Sequence, residues 1–152
     1  MARSIFLDSE PLGLASQARG KPKADACRAW LVAMESAGAL IIVPAIVDYE
    51  VRRELVRVGA TAGLGRLDRL LARFVWLALD RPALLRAAEL WALVRRAGRP
   101  TADPHALDAD AILAGQALTA VGPGNPATVA TGNVRHLARF PGIDARPWAT
   151  IT

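Results

Sequence analysis

Leu40-Ile41-Ile42-Val43 is an unbroken apolar run closed by Pro44. A short run without polar alternation is the pattern of a strand buried on both faces, as strands are in a parallel sheet covered by helices. Other short stretches have the same character. Ser4 to Leu7 reads as a strand that ends on Asp8, with Pro11 and Gly13 stopping it from continuing. Val75 to Leu79 ends at Asp80, and Ala127 to Thr131 is followed by Gly132 and Asn133. Ile143 to Arg146 reads as a last edge strand. Between these stretches the apolar residues recur at helical spacing over residues 25–38, 45–58, 65–74, 82–98, 107–121 and 134–140. The helix at 82–98 has Pro at its start and Gly at its end. Gly20 to Lys23 reads as a polar break after a first loop, and Thr61 to Gly65 as a second break. Strands that alternate with helices, with no hairpin signal, predict an α/β fold. The expected architecture is a three-layer sandwich: a central parallel sheet of four or five strands with helices on both faces. A chain of 152 residues suits a single domain, residues 1–152.

In such a sheet every strand-to-helix junction falls at one edge. Ligands bind there, outside the carboxyl ends of the strands. Asp8 stands at the first junction. Glu50 lies one to two turns into the helix after the second strand. Asp108 and Asp110 open the helix at 107–121, and Asn133 follows the strand that ends at Thr131. Four segments therefore bring carboxylates or an amide toward one crevice. Oxygen donors of this kind suit a hard divalent cation, Mg²⁺ or Mn²⁺. Carboxylates gathered together repel one another unless a cation lies between them. A cation so held activates a water against a phosphodiester and stabilises the leaving oxygen.

Each acid also has an ordinary structural use. Asp8 can form a turn, and Asp108 or Asp110 can cap a helix. Glu50 can pair with Arg53, and Glu54 with Arg57, at helical spacing. The joint pattern favours the metal site. Asp108, two residues from Asp110, faces another side of the helix and is read as the cap before a ligand, with the ligand role left open. Ser9 and Thr131 are placed to hydrogen-bond Asp8 or Asn133. His105 and His136 have no partner at a recognisable ligand spacing, so both are left out of the site.

Composition bounds the setting. The net charge of +5 comes from 19 Lys+Arg against 14 Asp+Glu, which fits a nucleic-acid partner but also an Ala- and Arg-rich composition of any function. Arg52, Arg53, Arg95, Arg96, Arg99 and Arg135 can line an RNA path by phosphate contact, although each alone reads as solvated surface. No apolar run is long enough to cross a bilayer, and the N-terminus lacks the apolar region of a signal peptide. Cys27, the single cysteine, reads as a partly buried thiol in a reducing, cytoplasmic setting.

The residues resemble the PIN-domain ribonucleases and, within them, the VapC-like toxin nucleases. Residues 6–12 look like the family's opening strand with its first acid. Residues 43–51 look like its second motif, whose Glu lies in the helix after the second strand. Residues 110–117 are similar to its third motif, and residues 129–137 to its fourth. The likeness runs from about Ser4 to Phe140. It implies a Mg²⁺- or Mn²⁺-dependent endoribonuclease, the toxin of a type II toxin–antitoxin pair. Asp8 and Asp110 would be direct metal ligands, and Glu50 would complete the acidic cluster through water. Asn133 would hold a fourth position that is often Asp in relatives. The resemblance also implies a homodimer that binds an antitoxin segment. The amphipathic helices 45–58 and 65–74 are the surfaces expected for both.

The alternative is a non-catalytic PIN-like module that binds RNA or protein without cutting, for which Asn133 leaves room. Other phosphate chemistry fits less well. A haloacid-dehalogenase site needs Asp at position 10, where Glu stands, and a receiver domain needs a Lys after its last core strand. The Gly-rich stretches at Gly63 and Gly122 do not follow strands, so they fail the context of a phosphate loop.

Overall fold

Ile5, Phe6 and Leu7 have no solvent exposure and form, with Ser4, the strand β1 (Ser4–Leu7). Such a strand needs neighbours on both sides and helices on both faces. In the computed structural model, which describes residues 2–98 and 104–152, β1 has all of these. It pairs in parallel with β2 (Leu40–Pro44), Ile5 opposite Ile41, and with β4 (Ala127–Thr131), Phe6 opposite Val129. β3 (Val75–Leu77) extends the sheet beyond β2, and β5 (Ile143–Pro147) beyond β4. The order is β3-β2-β1-β4-β5, all parallel, with β1 at the centre. The three-layer α/β sandwich expected from the alternation is thus present, with five strands.

Seven helices flank the sheet among the described residues: α1 (Ser9–Ala15), α2 (Pro22–Ser36), α3 (Ala45–Arg57), α4 (Thr61–Arg73), α5 (Arg81–Ala97), α6 (Asp108–Val121) and α7 (Val134–Leu137). None of the described helices is long and apolar enough to cross a membrane. Leu31, Val47, Leu67, Leu90, Leu113 and Leu137 carry their inner faces into one core around β1. Cys27 is within it, its Sγ 3.4 Å from the Pro11 carbonyl. Burial pushes this thiol up to about 12, so it stays protonated and inert.

The structure corrects four local expectations. The stretch after Asp8 is a helix, not a loop. Asp8 is its N-cap and accepts the Ser9 N–H at 2.7 Å. Pro11 sits in the first turn, where a missing N–H leaves no hydrogen bond unmade. Residues 61–65 are not a break but the first turn of α4. Gly63 is buried there, and a Cβ on it would lie 3.0 Å from Leu55 Cδ2, so glycine lets α4 approach α3. β3 stops at Leu77, two residues early, and Asp80 instead caps α5 through the Ala83 N–H. Asp108 is not the cap of α6. Leu107 holds that position, and Asp108 turns to His105 Nδ1, 3.3 Å away. Arg99 lies outside the described residues.

Candidate metal and nucleic-acid site

Asp8 leaves the central strand with both carboxylate oxygens engaged. Its Oδ1 accepts the Ser9 N–H, and its Oδ2 accepts the Thr131 hydroxyl at 2.7 Å. The same Thr131 oxygen accepts the Asn133 N–H at 2.8 Å. The tip of β1 and the turn after β4 are thereby tied, and the Asp8 N–H to Ala130 carbonyl bond at 2.9 Å extends the pairing of the two strands to this edge. Ser9 makes the next link, its hydroxyl donating to Glu50 Oε1 at 2.9 Å. The two hydroxyls that the sequence marks as hydrogen-bond partners thus hold Asp8 and Glu50.

Asp110 approaches from the first turn of α6. Its carboxyl is pushed up to about 6, first by burial, then by the charges of Asp8 and Glu50, with Arg139 opposing. Glu50 is also raised, chiefly by burial, against the hydrogen bond from Ser9; Asp8 raises it further and Arg53 opposes. Three carboxylates from β1, α3 and α6 therefore act on one another electrostatically. Among the described residues no group of three or more His, Cys, Asp or Glu is gathered so that it could hold a metal ion. Asn133 reaches the same edge by its backbone. Its side chain is exposed and makes no capping bond to α7.

Side chains outside the expected acidic set complete the surroundings. His136, set aside on spacing grounds, lies with Nδ1 4.0 Å from Asp110 Oδ2. Arg53 is 3.9 Å from Glu50 Oε2 and stacks over Tyr49. The Glu50–Arg53 and Glu54–Arg57 pairs expected as the ordinary use of these acids both form. Gln116 is buried. Its Oε1 accepts the Ile46 N–H and its Nε2 donates to the Leu77 carbonyl, which ties α6 to the start of α3 and the end of β3. A lone amide in an Ala- and Leu-rich helix is the signal that could have revealed it. Arg52 is drawn off to Asp48 and Asp68, and Arg95 stacks over Trp91.

Glu10, in the first turn of α1, braces the turn after β4. Trp148 Nε1 donates to its Oε1 at 3.0 Å, and Lys23 lies 3.8 Å from its Oε2. The carboxylate rests against Gly132, where a Cβ would fall 1.9 Å from Oε2. Gly132→Ala is therefore expected to displace Glu10 from Trp148 and lower stability by about 1–2 kcal/mol. Thermal melting checks this in a double-mutant cycle: in a Glu10→Ala background the same change is expected to cost almost nothing. An equal loss in both backgrounds would remove Glu10 as the cause.

The model of the PIN domain matches residues 5–123, which include Asp8, Glu50 and Asp110 and stop before Asn133. No curated protein sequence matches the chain. The fold is that of a chain in the crystal structure of VapBC2 from Rickettsia felis bound to a DNA fragment from their promoter. That match has a TM-score of 0.70 at 16% identity and covers 95% of this chain and 98% of the other. A chain of DNA-bound VapBC from Salmonella typhimurium aligns with a TM-score of 0.63 at 18% identity, over 97% of this chain and 99% of that one. With its strand order, its acid-bearing junctions and a family match that spans most of its length, this chain belongs to the PIN-domain family.

Proposed function

We propose that the chain is a Mg²⁺- or Mn²⁺-dependent endoribonuclease acting as one domain, and that it is the cytoplasmic toxin of a type II toxin–antitoxin pair. The observation that carries this reading is the gathering of three acids at one edge of the sheet, Asp8 tied to Thr131, Glu50 tied to Ser9, and the partly buried Asp110, whose carboxyl is pushed up to about 6 by burial and by Asp8 and Glu50. A site of oxygen donors that resist sharing their negative charge fits a hard divalent cation. Mg²⁺ commonly keeps several waters and takes only one or two protein carboxylates. Asp8 and Asp110 would hold the ion. When bound, it supplies Lewis-acid stabilisation of the phosphoryl oxygens and of the leaving group.

The chain's own groups do the rest. Ser9 and Thr131 fix the rotamer of Asp8 from two sides. Ser9 also aims Glu50 inward, where its raised pKa suits it to hold a water by hydrogen bond. Asn133 offers a neutral amide at the fourth corner. Arg53, Arg135 and His136 lie close enough to this edge to meet the phosphates of a strand. Tyr49, Val56 and Val58 on α3, together with Trp76, are about half exposed or more. They support a surface for a second copy of the chain and for an antitoxin segment.

Cleavage of a labelled single-stranded RNA is expected with Mn²⁺ or Mg²⁺ and not with EDTA. Asp8→Asn is expected to lower the rate by at least about 100-fold. Metal-dependent cleavage that survives in Asp8→Asn would sink this reading. RNA binding without cleavage at any metal concentration would make the chain a non-catalytic module.

A further inference from the structure

A cleft of about 450 Å³ shares Ser9 and Glu50 with the acidic cluster and runs along α1, between that helix, α3 and α4. Its length follows from α1, in which the seven residues Ser9–Ala15 rise about 10 Å. Glu50 stands at the N-terminal end, beside Ser9. Beyond the other end of α1 the lining includes Lys21 and Arg66. Arg66 is set in place by its Nε–H, which donates to the Ser16 carbonyl at 2.7 Å. Neither cation forms an ion pair among the described residues, and neither is among the charges acting on Glu50. Between the two ends the wall carries Val51, Leu55 and the bare Cα of Gly13, together with the exposed Glu54, whose carboxylate is paired with Arg57.

We propose that this cleft seats the nucleotide next to the scissile phosphate. The inference rests on the nuclease reading, because the acidic cluster must first hold the scissile phosphate for the strand to continue from it. The neighbouring phosphate meets Lys21 and Arg66, and the sugar and base lie over Val51, Leu55 and Gly13. An acidic end that would hold a metal and an end with two cations free of ion pairs among the described residues suit a nucleic-acid strand, whose phosphates can meet metal at one end and cationic side chains at the other. Contacts of this kind read the backbone, so the cleft adds affinity without sequence preference.

Gly13 supplies the test. A Cβ there meets nothing within 4 Å, and its backbone is not in the left-handed region, so Gly13→Leu grows into the cleft while favouring the helix. Binding is read by anisotropy of a labelled single-stranded RNA with Mn²⁺, in an Asp110→Asn background that holds the RNA uncut. Gly13→Leu is expected to weaken binding at least about tenfold, with the melting curve unchanged. Lys21→Ala, at an exposed residue with no capping role for its side chain, is expected to reduce the salt slope of log Kd by about 0.7. Unchanged affinity in Gly13→Leu and an unchanged slope in Lys21→Ala would overturn the inference even if the parent cuts RNA, and would leave the cleft to a protein segment. If the parent binds RNA with this salt dependence and never cuts it, the nuclease reading fails, and with it the placing of this cleft beside a scissile phosphate.

Discussion

Asp110→Asn is expected to abolish RNA cleavage and, in the same protein without metal, to raise its stability at neutral pH. The Asp110 carboxyl has an ordinary value of 3.8 and a folded value of about 6. Below pH 4 both the folded and the unfolded chain hold the proton, and the shift has no effect. Between about pH 4 and pH 6 the unfolded chain releases it while the folded chain keeps it. The folded state then binds more protons, so this group's contribution to stability falls as pH rises. By pH 7 the penalty is fully present, on the order of 3 kcal/mol. Asparagine removes that penalty and the like charge acting on Glu50.

The difference in Tm between Asp110→Asn and the parent is therefore expected to be near zero at pH 4. It grows to about 6–12 °C at pH 7 for a chain of this size. Added Mn²⁺ is expected to reverse the order, because it stabilises the parent by binding the folded state alone and finds one ligand fewer in the variant. A Tm difference that is flat across pH 4–7 would show that the Asp8, Glu50 and Asp110 charges do not act on one another. The opposition of stability and activity at one residue is what a site built for a cation produces when the cation is absent.

The features that Asp110 depends on differ in how visible they are in the chain. The central place of β1 was legible, because an apolar run ending on an acid has few other places in a parallel sheet. Asp8, Asp110 and Asn133 were legible as junction residues, since each follows a strand or opens a helix, and Glu50 as an acid one to two turns into the helix after the second strand. The helix after Asp8 was not. Pro11 and Gly13 are helix breakers by propensity, and only the capping role of Asp8 turns Pro11 into a first-turn residue. Asp108 looked like a cap because Asp caps helices, but Leu107 already has that position and the backbone leaves Asp108 one step inside. His136 and Arg139 reach Asp110 from α7 and the turn after it. No spacing rule links two helices separated by a strand, so their proximity to Asp110 exists only in the fold. Gln116 and Glu10 are similar: their partners, Ile46, Leu77 and Trp148, are far away in sequence.

Gly115→Ala is expected to destabilise the protein more than any other single methyl added to a glycine whose backbone lies outside the left-handed region. The reason is what the methyl meets. At Gly13 it meets nothing, and at Gly132 it meets the end of a flexible side chain. At Gly115 it would lie 2.6 Å from the Ala83 carbonyl oxygen, 2.8 Å from the Ala87 nitrogen and 2.9 Å from the Ala87 Cβ. None of these atoms can turn away, because all belong to α5 itself or to its first side-chain carbon. The backbones of α5 and α6 touch at this point, and the added carbon can be accommodated only by moving one helix off the other. Overpacking of this kind costs about 1–3 kcal/mol, and backbone contact places it at the upper end. The expected fall in Tm is about 6–12 °C, by thermal melting. Gly13→Ala is the control, neutral or stabilising by up to about 1 kcal/mol. Activity should fall as well, because Gln116 is the next residue and its bonds to Ile46 and Leu77 hold α6 in the position that brings Asp110 toward Asp8 and Glu50. Equal melting temperatures for Gly115→Ala and Gly13→Ala would mean that α5 yields to the methyl at no cost, and the close approach of the two helices would then have no part in placing Asp110.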